Sequence, residues 1–145
     1  MSLDLHATAT DRLQRDGQRY TGNRRTLIDV LRSADRPLTI AEVLERDGSL
    51  AQSSVYRNLT VLEHSGVVSR VHSTDEFARF ELAEDLLDHH HHLICSRCGR
   101  VEDFRVAATI EQSLVATLEQ AVKHTGFSPE HHRLDLVGRC ADCVV

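Results

Sequence analysis

Asp88-His89-His90-His91-His92-Leu93-Ile94-Cys95-Ser96-Arg97-Cys98 sets four imidazoles directly against a CxxC pair, and Cys140-Ala141-Asp142-Cys143 supplies a second pair, separated from the first by 41 residues. Two thiolate pairs drawn from two chain segments are how a closed tetrahedral zinc site is assembled. Cys95, Cys98, Cys140 and Cys143 leave such a site no vacant position, so it holds structure instead of performing hydrolysis. A purification tag is the other reading of a histidine run, but tags sit at termini, and this run is internal and leads straight into Leu93-Ile94. The second half of the chain thus reads as a lobe stapled by metal.

Composition sets the frame around that staple. With 145 residues and 41% hydrophobic content, the chain can bury one good core or two small ones, and a metal would support the half too small to fold unaided. All four cysteines fall in the CxxC pairs. There is neither an apolar leader nor a run of about 18 apolar residues, so the expected compartment is the cytoplasm, with no membrane partner. Disulfides fit that compartment poorly. The net charge of −5 argues by itself against nucleic acid. Its distribution softens the objection: residues 1–82 carry 11 Lys/Arg against 12 Asp/Glu, and residues 83–145 carry 6 against 10. Sixteen of the seventeen cations are Arg, the side chain best shaped to grip phosphate and guanine in two-pronged fashion.

Upstream of the histidines the chain punctuates as helices. Leu5, Ala9 and Leu13 are spaced by four, a turn follows at residues 17–22, and a second helix is predicted over 23–34 with Asn23 as its N-cap. Pro37 ends it, and Thr39-Ile40-Ala41-Glu42 is a capping box for a third helix that stops near Asp47-Gly48. Ser53 or Ser54 caps a fourth, which runs to about His64 and ends at Gly66. Val55, Leu59 and Leu62 share its inner face, leaving Ser53, Arg57 and Thr60 outward with Tyr56 on the flank. Residues 67–71 and 77–82 then alternate around Thr74-Asp75-Glu76 as strand, turn and strand. Helix-turn-helix followed by a hairpin is the winged-helix arrangement, whose last helix enters the major groove, although small packed helices with a solvated face would share the pattern.

Past an acidic hinge at residues 84–88, strands are predicted at 93–95 and 101–104. A long helix follows, with Ile110, Leu114, Leu118, Ala121 and Val122 at helical spacing, ended by Gly126 and Pro129. Leu134 and Leu136 mark a last strand before Cys140. The fold class is therefore α/β (α+β), with a winged-helix domain at 1–83 and a metal-binding dimerisation domain at 84–145.

Alternate residues of an extended segment face opposite ways, so His90 and His92 share one side while His89 and His91 share the other. One run can serve two sites. Glu81 and Asp103 are available to the first pair, and Glu111 and His132 could close the second. Such nitrogen and oxygen sets suit zinc, iron(II), manganese or nickel. A solvated polar cluster is the competing reading of each set, with Glu81 taken alone as surface and His132 as a core histidine sharing strand parity with Leu134 and Leu136. His6, His64, His124 and His131 read as surface residues.

Residues 17–24, Ser54-Val55-Tyr56-Arg57-Asn58-Leu59, the stretch from His89 through Gly99, and residues 131–140 together resemble the motifs of the ferric uptake regulator family of bacterial metal-responsive transcription factors. The resemblance spans nearly the full chain. It implies a homodimer that binds double-stranded operator DNA, through Arg19 in the opening turn and Ser53, Tyr56, Arg57 and Thr60 on the fourth helix. It also implies structural zinc on the four cysteines, a regulatory zinc, iron(II) or manganese on Glu81, His90, His92 and Asp103, and a second site on His89, His91, Glu111 and His132. Asp103 matches a ligand of the family's peroxide-sensing branch. Departures from the pattern are Leu38, where many members have a histidine, and Ser69, where zinc-sensing members have an aspartate. They leave the regulatory set short of a ligand or recruiting His72.

The function expected is a metal-dependent repressor of metal-homeostasis genes, with a peroxide-sensing iron or manganese repressor as the alternative. A zinc hydrolase using Glu111 as base is the rival from another class, but it needs an open metal position and no HExxH occurs, so no catalytic residue and no small organic substrate are assigned.

Overall fold

Leu5, Ala9 and Leu13 recur one helical turn apart and all three are buried, which is why α1 (Leu5–Arg15) lies on the core by one edge. The structure, a computed structural model, describes residues 4–144. Gly17, at φ +70°, turns the chain toward α2 (Gly22–Ser33). The cap of α2 is Thr21, whose side chain accepts from the Arg24 N–H at 3.3 Å; Asn23, the expected cap, already lies inside the helix. After β1 (Leu38–Thr39) the capping box forms as expected, with Thr39 and Glu42 satisfying each other's backbone N–H at the head of α3 (Ile40–Arg46).

The next helix, α4 (Gln52–His64), starts one residue before the serines expected to cap it, so Ala51 takes the cap position without a side-chain bond. Its faces separate as the spacing predicts: Val55, Leu59 and Leu62 are fully buried, while Ser53, Tyr56, Arg57 and Thr60 are exposed. The hairpin β2 (Val68–Val71) and β3 (Arg79–Leu82) follows, and β1 joins it in an antiparallel sheet of order β1-β3-β2. Leu38 pairs Phe80 in that sheet and is wholly buried, so this departure from the resembled pattern is a core position. One apolar cluster gathers seventeen residues from α1 to β3.

A 3-10 turn at Glu84–Leu86 leads to a second sheet of order β5-β4-β6, built from β4 (His91–Cys95), β5 (Val101–Phe104) and β6 (Asp135–Gly138). β4 pairs antiparallel with β5 and parallel with β6. The connecting helix α5 (Ala108–Val122) ends through a 3-10 turn at Gly126, φ +75°. The helix forms as the spacing predicts, yet no residue of α5 or β6 is buried. β6 begins after Leu134, and Leu134 and Leu136 are exposed, so His132 has no core to join.

Among the described residues, Val71, Ile94 and Val101 form the apolar cluster of this region, and Val71 belongs to the hairpin. Polar contacts continue that seam. Ser73 Oγ donates to the Gly99 carbonyl at 2.6 Å and Thr74 Oγ1 to the Cys95 carbonyl at 2.7 Å, so the hairpin turn rests on the first CxxC. None of the described helices is long and apolar enough to cross a membrane.

Candidate metal centres and nucleic-acid face

The four cysteines come together from three places. Cys95 ends β4, Cys98 follows a tight turn whose Gly99 sits at φ +78°, and Cys140 and Cys143 lie just beyond β6. Their sulfurs all lie within 4.8 Å of one another, Cys98 and Cys140 at 3.7 Å. Backbone N–H groups of Cys140 and Cys98 point at the Cys95 sulfur, each at 3.4 Å, and hold its thiol down at about 5. The Cys143 thiol is pushed up to about 12, first by its hydrogen bond with Cys140 and then by burial and by Cys95 and Cys98. Four thiols this close cannot all ionise unaided, and a dication removes that obstacle, which is the chemistry of a closed zinc site.

The strand parity of the histidines is realised. Glu81, on β3, receives two of them, with His90 Nε2 at 2.9 Å and His92 Nε2 at 3.1 Å. Asp103, opposite His92 in the β4–β5 register, brings Oδ1 to 3.6 Å from His92 Nε2 and 4.0 Å from His90 Nε2. Glu81 is not the surface residue it seems in isolation: its side chain is 11% exposed. Burial acts to raise its carboxyl, but hydrogen bonds from His90 and His92 outweigh that and hold it below the ordinary range. The same hydrogen bond to Glu81 lifts His90 to about 9. Asp103 moves the other way, raised first by burial and then by the Glu81 charge. Asp103 Oδ1 is buried with no hydrogen-bond partner, an orphaned acceptor facing two imidazoles. His72 is outside this cluster, Leu38 is a core residue without a ligand atom, and Ser69 pairs Glu81 across the hairpin.

On the opposite face of the strand, Glu111 in the first turn of α5 collects three histidines. His89 Nε2 lies 2.9 Å from Glu111 Oε1, His132 Nε2 2.6 Å from the same oxygen, and His91 Nε2 2.9 Å from Oε2. These bonds, His91 first, hold the Glu111 carboxyl down at about 2. Each of the three sets brings its donor atoms within 4.8 Å of one another.

Several partners of these sets escaped the sequence reading. Glu84 Oε1 lies 2.6 Å from His89 Nδ1, Asp135 Oδ1 lies 3.5 Å from His92 Nδ1, and the Asp88 carbonyl lies 3.0 Å from His90 Nδ1. Only the acidic hinge and the Asp135 beside Leu134 offered a signal for them. His6, expected at the surface, is half-buried between Tyr20 and Asp29.

The exposed face of α4 offers hydroxyls, a phenol and a guanidinium, and Arg19 stands exposed in the α1–α2 turn. Arg24 is not free to join them. It donates to Asn58 Oδ1 at 2.9 Å and to the Arg19 carbonyl at 2.7 Å, fixing the turn against α4.

The ferric uptake regulator family model matches residues 15–137. The peroxide operon regulator of Bacillus subtilis (strain 168) is 32% identical over 140 residues, covering 93% of this chain and 90% of that protein. The ferric uptake regulation protein of Legionella pneumophila is 39% identical over 101 residues, covering 70% of this chain and 69% of that one. Among solved structures, the Helicobacter pylori ferric uptake regulator, described with three functional metal-binding sites, aligns at TM-score 0.75 and 22% identity over 97% of this chain and 93% of that one. At that identity the likeness speaks for the fold.

Proposed function

The chain belongs to the ferric uptake regulator family, and from that premise we propose that it is a cytoplasmic, homodimeric repressor that binds operator DNA when a divalent metal is loaded. In this reading residues 1–83 bind DNA and residues 84–145 dimerise. Cys95, Cys98, Cys140 and Cys143 hold structural zinc. Glu81, His90, His92 and Asp103 hold the regulatory ion, zinc, iron(II) or manganese, and His89, His91, Glu111 and His132 hold a second ion. The bound ion supplies a fixed dication to each set; the chain supplies the placement.

One observation carries the regulatory assignment: Glu81 lies on the wing hairpin, whereas His90, His92 and Asp103 lie on or beside the second sheet. An ion that needs both is bound best in one lobe arrangement, and a ligand shifts a two-state equilibrium only by its differential affinity for the two states. The orphaned Asp103 oxygen fits a cation there. Arg19, Ser53, Tyr56, Arg57 and Thr60 are the proposed DNA contacts, and the exposed apolar groups of α5 and β6, Ile110, Leu118, Leu136 and Val137 among them, are the proposed dimer surface.

Operator binding measured with each divalent metal tests the reading. His90→Ala and Glu81→Ala lose metal-activated binding and keep the dimer, while His132→Ala loses less. Tyr56→Ala and Arg57→Ala lose operator affinity, by about 1–3 kcal/mol for one good base contact, with metal content intact. Repression that survives His90→Ala and fails in His132→Ala reverses the two assignments.

Asp103 in the regulatory set and the similarity to a peroxide regulator favour a second reading, in which peroxide acts on the iron-loaded protein by oxidising a ligand histidine. Mass analysis of the peptide containing His90 to His92 after peroxide treatment separates the two readings.

A further inference from the structure

His89 precedes β4, and no ladder contact orients its ring. Two carboxylates do: Glu111 on Nε2, the nitrogen turned toward His91 and His132, and Glu84 at 2.6 Å on Nδ1. A carboxylate on the far nitrogen of an imidazole fixes its tautomer and ring angle and makes the near nitrogen a stronger donor. His91 has no such support, since its Nδ1 is buried without a hydrogen-bond partner.

Glu84 does not belong to the second sheet. It opens the 3-10 turn Glu84–Leu86, and that turn is fastened to the first lobe. Asp85 is paired with Arg12 of α1, and the Arg12 guanidinium also donates to the Gly66 carbonyl, at 2.7 Å, where the wing begins. Leu86 and Leu87 pack on the large apolar cluster. This turn reaches the histidines through the Glu84 carboxylate, which is hydrogen-bonded to His89.

We propose that Glu84 is the positioning residue of His89 and that, through the Glu84–Asp85–Arg12 connection, occupancy of the second histidine set is felt by the DNA-binding lobe. The inference rests on reading His89, His91, Glu111 and His132 as a metal site. None of those four ligands lies in the first lobe, so without Glu84 an ion there has little hold on lobe orientation. With Glu84, a lobe movement that withdraws its carboxylate weakens the ion, and by linkage the ion opposes that movement to the same degree. The two histidine sets would then couple differently, one through a shared ligand and the other through a support behind a ligand.

The test uses full-length protein with zinc on its cysteines and His90→Ala throughout, titrated with cobalt(II) against a competing chelator. Glu84→Ala should weaken the cobalt that His132→Ala releases by about 10–100-fold, the usual cost of removing such a support. Glu84→Gln, whose amide oxygen still accepts from Nδ1 without the charge, should fall between the parent and Glu84→Ala. Cobalt should slow amide hydrogen exchange in the 3-10 turn and at Gly66 to Val68 in the parent, and not in Glu84→Ala. Unchanged cobalt affinity in Glu84→Ala overturns the positioning role. A weakened affinity with exchange still slowed overturns the coupling. If the parent holds no cobalt that His132→Ala releases, the metal-site reading itself falls and the inference with it.

Discussion

The two sheets of this molecule are held by different forces. Around β1-β3-β2, seventeen buried apolar residues form one cluster, and the polar residues there stand mostly outside it. Around β5-β4-β6 the apolar cluster has three members, one of them lent by the wing, and α5 presents Ile110 at 58% exposure. What ties α5 to its sheet is Glu111 with three histidines, and beyond the ladder that pairs β6 with β4 the two CxxC segments meet in the sulfur cluster. The first region resembles an ordinary small domain that folds by burying apolar surface. The second has charge and donor clusters where a core would be, so in the proposed reading ions and a partner surface supply its cohesion.

Removing a sulfur should widen this contrast most. Apparent binding energies of structural zinc are about 10–16 kcal/mol, so Cys98→Ser is expected to cost the second region its zinc, its protection from amide exchange and the dimer together. The first region should keep its helical circular dichroism. A full zinc complement and an intact dimer in Cys98→Ser would mean that the apolar contacts suffice.

The reciprocal experiment deletes core from the first region. Leu59 is fully buried on α4, and Leu59→Ala should cost about 2–5 kcal/mol in urea unfolding while zinc content stays unchanged. Leu118→Ala, at a position 40% exposed on α5, should change the unfolding of that region by less than about 0.5 kcal/mol and appear in sedimentation as a weaker dimer. A large loss of monomer stability in Leu118→Ala would place a core where none is visible.

That contrast also marks what the sequence could reveal. Periodicity identified Val55, Leu59 and Leu62 because a helix on a large core leaves a strong pattern, and strand parity sorted His89 and His91 from His90 and His92 because alternation needs no tertiary knowledge. The same periodicity identified α5 as a helix, but Ile110 and Leu118, which repeat at helical spacing there, are exposed. A pattern states that a face is apolar and not what covers it. Caps were local guesses between near-equal candidates: Thr21 in place of Asn23, and Ala51 with no side-chain bond in place of a serine. Supports such as Glu84 and Asp135 depend on how separate segments meet, and their residue types are too common to signal it.

Between the two regions lies the contact of the wing turn with the first CxxC, and Gly99 tests it. Its φ of +78° strains any side chain, and a Cβ there would lie 2.2 Å from Asp75 Oδ2. Asp75 cannot swing clear, because the buried Arg79 guanidinium grips both its oxygens at 2.7 and 2.8 Å. Gly99→Ala should therefore cost about 1–3 kcal/mol from backbone strain and loosen the wing, seen as faster exchange at Ser73 to Asp75. Unchanged exchange there would show that the wing turn does not depend on this seat.

A further expected effect concerns one proton shared across the same boundary. His90 is lifted from an ordinary 6.5 to about 9 by its hydrogen bond to Glu81, and Glu81 is held below its ordinary 4.5. A raised imidazole contributes stability fully below about 6.5 and loses it as pH rises through about 9. A lowered carboxyl contributes above about 4.5 and loses it as pH falls. The metal-free junction is thus most cohesive between those two ordinary values and relaxes toward pH 9. Metal runs the other way, because a protonated His90 cannot be a ligand, so binding tightens over the interval in which the metal-free protein weakens. Thermal unfolding with a chelator and cobalt titrations, both from pH 6 to 9, should show these opposite slopes, and His90→Gln should flatten the first. Parallel slopes would mean that His90 and Glu81 are not partners in the metal-free protein.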